Sequence, residues 1–187
     1  METSEIVSIF EGQHSEWGPK LRKLYHIVSD RPTASSSGAL DFVTDARYAL
    51  PAEIIAEKLT GRGKKVYRYV VDETNPWQAS ARSHHAVDLI FLFGTVDGLS
   101  RYPEADAVGQ DMRDRWIKFV NGEAPWSPMS TGKRFAFGPY GECKEIDERQ
   151  FAARRRVAHM TVLKEAGFDV YGPIMSKLTA GRISLLN

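Results

Sequence analysis

Leu21, Leu24, Tyr25 and Val28 recur at helical spacing with Lys20, Arg22 and Lys23 off the apolar stripe, and Ser15-Glu16-Trp17-Gly18-Pro19 ahead of them has the composition of a helix start. This predicts an amphipathic helix that stops before Arg31-Pro32. A second helix is predicted over Ala46 to Thr60, where Tyr48, Leu50, Ile54, Ile55 and Leu59 are the apolar set. Thr44 or Asp45 would be its N-cap, Pro51 interrupts its start, and Gly61 and Gly63 close it. From Lys65 to Asp72 the chain is nearly continuous in β-branched and aromatic residues, the strongest strand signal it contains. Val108, Met112, Trp116, Phe119 and Val120 place a third helix over Glu104 to Asn121, ended by Gly122. Arg134 to Phe137 and Glu142 to Ile146 read as short strands around the turn Gly138-Pro139-Tyr140-Gly141. A last helix runs from about Glu148 to Ala166, with Phe151, Val157, Met160, Val162 and Leu163 inward. Helix, glycine turn and apolar strand in that order suit an α/β layer structure.

Elsewhere the pattern is weaker. Ile6 to Phe10 is either a strand end or the first turn of a helix. Residues 30–39 are small and polar with Pro and Gly, which predicts a mobile loop, and residues 171–187, moderately apolar around Tyr171, Ile174 and Leu178, form a tail that packs or frays.

Chemistry concentrates at His84-His85, which opens a run where Val87, Leu89, Phe91 and Phe93 alternate with Asp88, Ile90 and Leu92 before Gly94. The pair stands at the edge of an apolar element that would fix its position; by themselves these residues favour a structural histidine over a working one. Trp77, in the preceding loop with Asn75 and Pro76, is a core or rim aromatic or else part of a pocket wall. Arg154-Arg155-Arg156 spreads over most of a helical turn, so it reads as a solvated face bridged to Glu148 or Asp147 rather than a phosphate site.

Composition narrows the classes. With 187 residues and 42% hydrophobic content the chain can bury the core of one domain, taken as 1–187. Its 25 basic and 24 acidic residues leave a net charge of +1, so no global field favours nucleic acid. Cys143 is alone and cannot form an internal disulfide, which points to a reducing compartment. The acidic start has no secretory pattern, and no window reaches the about 18 apolar residues of a membrane span, so a cytoplasmic protein is expected. There are no repeats, no Cys/His metal spacing and no phosphate-binding glycine loop, hence no expected metal or cofactor.

The histidine segment resembles the motif H-(G/A)-x-(D/E)-(L/I)-x-(F/Y)-(V/L)-F-G of the type-B carboxylesterases, matched by His85, Ala86, Asp88, Leu89, Phe91, Phe93 and Gly94. Other motifs of that family are similar and in the same order. Asp45, Tyr48 and Pro51 fit D-x-x-(F/Y)-x-x-P; Val66, Tyr67 and Tyr69 fit V-Y-x-Y; Met112, Trp116 and Phe119, followed by Pro125-Trp126-Ser127-Pro128, fit M-x-x-x-W-x-x-F and its turn. The resemblance covers roughly residues 15–170, about the last third of a family member. It implies a partial α/β-hydrolase fold, a C-terminal third with few strands and several packed helices, in which His85 is the triad general acid/base and His84 and Trp77 are pocket candidates.

The serine of that fold sits in G-x-S-x-G. The chain has none: Ala34-Ser35-Ser36-Ser37-Gly38 lacks the first glycine, no H-G-G-G-like oxyanion loop is present, and of the acid motif D-E-G-x-x-F only Glu11-Gly12 remains. The resemblance therefore implies an incomplete carboxylesterase that takes a small-molecule ester only when completed and exposes an apolar face for a protein partner. The alternative is an inactive remnant that binds through that face. A third reading makes His85 a base oriented by Asp88 or Glu73 in a lyase or isomerase. The turn Phe137 to Cys143 and the following arginines look most like fungal enzymes of secondary metabolism.

Overall fold

The computed structural model describes residues 1–84, 86–94 and 97–181. In chain order its elements are helices α1 (Thr3–Glu11), α2 (Trp17–Leu24), α3 (Pro32–Thr44) and α4 (Leu50–Gly61), strand β1 (Tyr69–Val71), helices α5 (Val87–Phe93) and α6 (Pro103–Val120), strands β2 (Lys133–Phe137) and β3 (Cys143–Asp147), and helices α7 (Glu148–Ala152), α8 (Val157–Ala166) and α9 (Phe168–Ala180). Two compact units result: Met1–Ile55 with the chain from Arg155 onward, and Ala56–Arg154. Among the described residues, no helix is long and apolar enough to cross a membrane.

The core of the first unit is aromatic at its centre. Phe42 meets Phe10 and Tyr25 edge-on at ring separations of 5.0 and 5.3 Å, and Ile6, Leu21, Ile27, Leu163, Ile174 and Leu178 are fully buried in the same unit. The short apolar group Ile6 to Phe10 is thus helical, as α1. Residues 30–39 are not the loop that their composition predicts. Pro32 occupies the first turn of α3, where its missing N–H costs nothing. Ser35 is fully buried, and its hydroxyl accepts from the Val28 N–H at 2.9 Å and donates to the Val28 carbonyl at 2.6 Å. The polar side chain that should have favoured a loop is satisfied by the preceding turn. Gly38 gives α3 its close approach, since a Cβ there would collide with the Tyr25 carbonyl oxygen.

Between α3 and α4 lies one π-helical turn, Asp45–Ala49. Thr44 and Asp45 are helical in backbone and make no cap, contrary to expectation; the Asp45 carboxylate instead accepts from Arg156 and from the Tyr25 hydroxyl. Pro51 follows the π turn instead of breaking the helix. Of the tail's two expected outcomes the described part packs: through Ala180 it is helix α9, with Tyr171, Ile174 and Leu178 buried, while residues 182–187 lie outside the described ones.

In the second unit β1 runs parallel to β2, Tyr69 opposite Phe135 and Val71 opposite Phe137, and β2 is antiparallel to β3, from Lys133 opposite Asp147 to Phe137 opposite Cys143. Of the apolar run 65–72, Tyr69–Val71 is strand, and Arg68 and Asp72 at its two ends each add a backbone hydrogen bond to β2. The core gathers Val87, Phe91, Leu99, Val108, Met112, Phe135 and Phe137. Trp126 stacks on Phe135 at 5.2 Å and meets Tyr69 edge-on at 5.9 Å.

The predicted last helix is broken. An Asp147–Gln150 capping box starts α7, which ends at Ala152, and the three arginines fall in the gap before α8. Two of them pair with residues other than those expected. Arg154 bridges Asp72 at 2.7 Å, and Arg156 bridges Asp45 at 2.8 Å and Asp41 at 3.2 Å. Glu148 belongs to Arg68 and Arg134, at 2.6 and 2.9 Å. Burial pushes its carboxyl up, but the hydrogen bonds from Arg134 and Arg68 outweigh that and leave it below the usual range.

Candidate functional site

The histidine loop starts from the end of the sheet. After Val71, the amides of Asp72 and Glu73 both donate to the Phe137 carbonyl, at 2.7 and 3.1 Å, which ties the loop to the end of β2. Glu73 is buried, and its two carboxylate oxygens accept from the Thr74 and Gly141 amides at 3.3 and 2.9 Å. It clamps two turns together. Gly138 makes this possible, because its φ of +83° and the close approach of the Glu73 backbone leave no room for a Cβ.

Asn75 organises the next stretch. Its amide donates to the Arg82 carbonyl at 3.1 Å, its carbonyl accepts from Gln78 at 3.2 Å, and its Oδ1 accepts from the Trp77 amide at 3.0 Å, a local turn of the kind Asn makes beside proline. A 3₁₀ turn at Ala79–Ala81 and a left-handed Arg82 bring the chain back, and the Ser83 hydroxyl donates to the Val71 carbonyl at 2.7 Å. His84 follows, exposed, with its Nε2 3.0 Å from Asn75 Nδ2.

The apolar run after the histidines is helix α5. Alternation along the sequence put Leu89 and Phe93 with Val87 and Phe91, but helical geometry buries only Val87 and Phe91, four residues apart, and leaves Leu89 and Phe93 47% and 62% exposed. The helix is bracketed by left-handed residues, Ala86 at φ +66° and Gly94 at φ +58°. Arg113 of α6 donates to the Phe91 carbonyl at 2.8 Å, near the C-terminal end of α5.

Of the three residues named from the sequence, His84 and Trp77 lie on this one loop, both bonded to Asn75. His85 lies outside the described residues. Trp77 is 41% exposed, its ring edge-on to Tyr102 at 5.7 Å, so it stands at a rim rather than in the core. Sequence reasoning missed Asn75, Ser83 and Tyr102. The Asn-Pro pair before Trp77 was the available signal, since Asn in that context caps its own turn. Ser35, the nearest thing to a nucleophile string, is sealed in the first unit with its hydroxyl committed to Val28. No cluster of His, Cys, Asp and Glu that could hold a metal occurs among the described residues.

Cys143 at the start of β3 is chemically quiet. Burial pushes its thiol up, Asp111 beside it pushes it further, and it reaches about 12. The fold thus favours the neutral thiol, a stabilisation fully present below the ordinary thiol range and lost as pH climbs toward 12. At pH 8, alkylation of Cys143 in the folded chain is expected to run more than about tenfold slower than that of a free thiol, because the thiolate is the nucleophile. Labelling at the free-thiol rate would contradict this environment.

Comparison with known proteins decides the family. A sequence model of the carboxylesterase family matches residues 2–158. The chain belongs to the carboxylesterase family. Its helices and three-stranded sheet are a partial α/β-hydrolase fold. Among relatives, Lipase 3 of Yarrowia lipolytica is 27% identical over 170 residues, covering 87% of this chain and 32% of the lipase. Lipase 1 of the same organism is 27% identical over 114 residues, 61% of this chain and 22% of that lipase. This carboxylesterase-family chain therefore spans about a third or less of the relatives it matches. No solved structure gives a significant match.

Proposed function

We propose that this chain is the histidine-bearing portion of a carboxylic ester hydrolase, with His85 as general acid/base. The reading is carried by the loop from Thr74 to His84, tied to the ends of β1 and β2, which leads into α5 at the point where the motif of His85, Ala86, Asp88 and Leu89 falls. A histidine suits this work because its near-neutral pKa lets it take the proton from a serine hydroxyl and return it to the leaving alcohol. The serine, the oxyanion donors and the triad acid are supplied by polypeptide outside these 187 residues, and His84 and Trp77 border the ester's pocket. The two units are then parts of one incomplete domain of a cytoplasmic enzyme acting on a small-molecule ester in secondary metabolism.

A second reading has its own observation. Leu89 and Phe93 on α5, and Ile117, Phe119 and Val120 on α6, are exposed within the second unit, which suits a chain that binds a protein partner without catalysis.

The test is to weigh the native polypeptide that carries this sequence and treat it with a fluorophosphonate that labels activated serines. A longer product that carries G-x-S-x-G and labels, while the 187-residue chain alone does not, is the expected result. A native product of 187 residues without esterase activity would overturn the enzyme reading in favour of the binding one.

A further inference from the structure

Two adjacent histidines raise the question of which does what. We propose that His84 is a positioning residue, held by Asn75 as its Nδ1–H tautomer, and that this leaves general acid/base work to His85. The assignment to His85 rests on the esterase reading; the state of His84 does not.

A carboxamide has acceptors only on its oxygen and donors only on its nitrogen. The backbone N–H of Trp77 donates to Asn75 Oδ1 at 3.0 Å, which fixes which end of the amide is which. Asn75 Nδ2 therefore faces His84 Nε2 at 3.0 Å with a hydrogen to give. The ring nitrogen must answer with its lone pair. A neutral imidazole whose Nε2 is a lone pair carries its proton on Nδ1, the reverse of the Nε2–H tautomer that histidine favours in water. An imidazolium would set one donor against another.

The backbone makes this contact consequential. The His84 carbonyl accepts from the Val87 amide at 3.1 Å, so the residue fastened by its side chain to Asn75 also holds the first residue of α5. Asn75 is itself fixed by its bonds to Arg82, Trp77 and Gln78. Residue 84 thus links a braced loop to a packed helix, immediately before the motif histidine. With its Nε2 lone pair engaged by an amide, His84 is poorly placed to receive a proton from substrate or serine.

The experiment uses the full 187-residue chain, labelled with ¹⁵N and studied by long-range ¹H–¹⁵N imidazole spectra at alkaline pH. The His84 pattern, identified by its loss in His84→Gln, is expected to be that of Nδ1–H. In Asn75→Ala it should revert to the ordinary Nε2–H pattern. In Asn75→Asp it should be Nε2–H as well, because one carboxylate oxygen can still cap the Trp77 amide while the other, having no hydrogen, demands a donor from the ring. An Nε2–H pattern in the unaltered chain, or an Nδ1–H pattern surviving in Asn75→Asp, would overturn the proposal. Neither readout needs turnover, so an inactive completed enzyme would sink the esterase reading and leave this result intact, and the reverse holds equally.

Discussion

In an enzyme completed with its serine, His85→Ala is expected to lower kcat by about 10⁴-fold or more while changing KM little, a loss of roughly 5 kcal/mol of transition-state stabilisation. The size follows from the role. Without a base the serine hydroxyl keeps its proton, and without the resulting imidazolium the leaving alkoxide has no donor. Both half-reactions fail together. The ester still docks, because an imidazole contributes more to proton transfer than to ground-state binding, so the effect belongs in kcat. Steady-state kinetics on a p-nitrophenyl ester, with folding checked by circular dichroism, would measure it. A loss smaller than about tenfold would mean that the motif histidine is not the base, whatever family the chain belongs to.

That prediction stands on a site only half legible in the sequence. His84, His85 and Trp77 stood out because histidine beside an apolar run and tryptophan in a loop are conspicuous residue types. What holds His84 and Trp77 is not conspicuous. Asn75, Ser83 and Glu73 work through hydrogen bonds to backbone groups of the sheet end and the loop, and no periodicity encodes such bonds. Elements divide in the same way. α6 could be read almost to the residue, since its apolar stripe is long, Pro103 opens it and Gly122 follows it. The hairpin of β2 and β3 was equally plain around its glycine turn. α3 was hidden, because Ser35, Ser36, Ser37 and Gly38 are poor helix formers whose preference is overridden by the two hydrogen bonds of the buried Ser35 hydroxyl and by packing at Gly38. α5 was hidden by alternation, which only the buried pair Val87 and Phe91 resolves into a helical face. The break between α7 and α8 was hidden because ion pairs to Asp72 and Asp45, far away in sequence, cannot be seen from three arginines in a row.

Asp45→Ala is expected to destabilise the first unit by about 3 kcal/mol. The carboxylate is 6% exposed and accepts three bonds: from Arg156 Nε at 2.8 Å, from Arg156 Nη2 at 3.0 Å and from the Tyr25 hydroxyl at 3.0 Å. Truncation leaves a guanidinium facing the cavity and a phenol without its acceptor. Arg156 is 36% exposed and keeps Asp41 at 3.2 Å, which holds the cost to the lower end of what breaking a buried pair entails. Tyr25→Phe removes only one neutral donor and should cost about 1 kcal/mol, since its ring still meets Phe42 and His159 edge-on. Burial first, and then the Asp45 charge, holds the Tyr25 phenol well above its ordinary value, so this bond is fully present below the usual tyrosine range and is lost only in strong alkali. The two losses should not add. Once Asp45 is gone the Tyr25 hydroxyl has nothing to donate to here, so Tyr25→Phe in the Asp45→Ala background should cost close to nothing. Urea titrations of the four chains at neutral pH, compared by midpoint with the slope held constant, read that coupling directly. Full additivity would mean that the three side chains do not act as one unit, and a single-mutant loss under about 1 kcal/mol for Asp45→Ala would mean that the pair is held open to water.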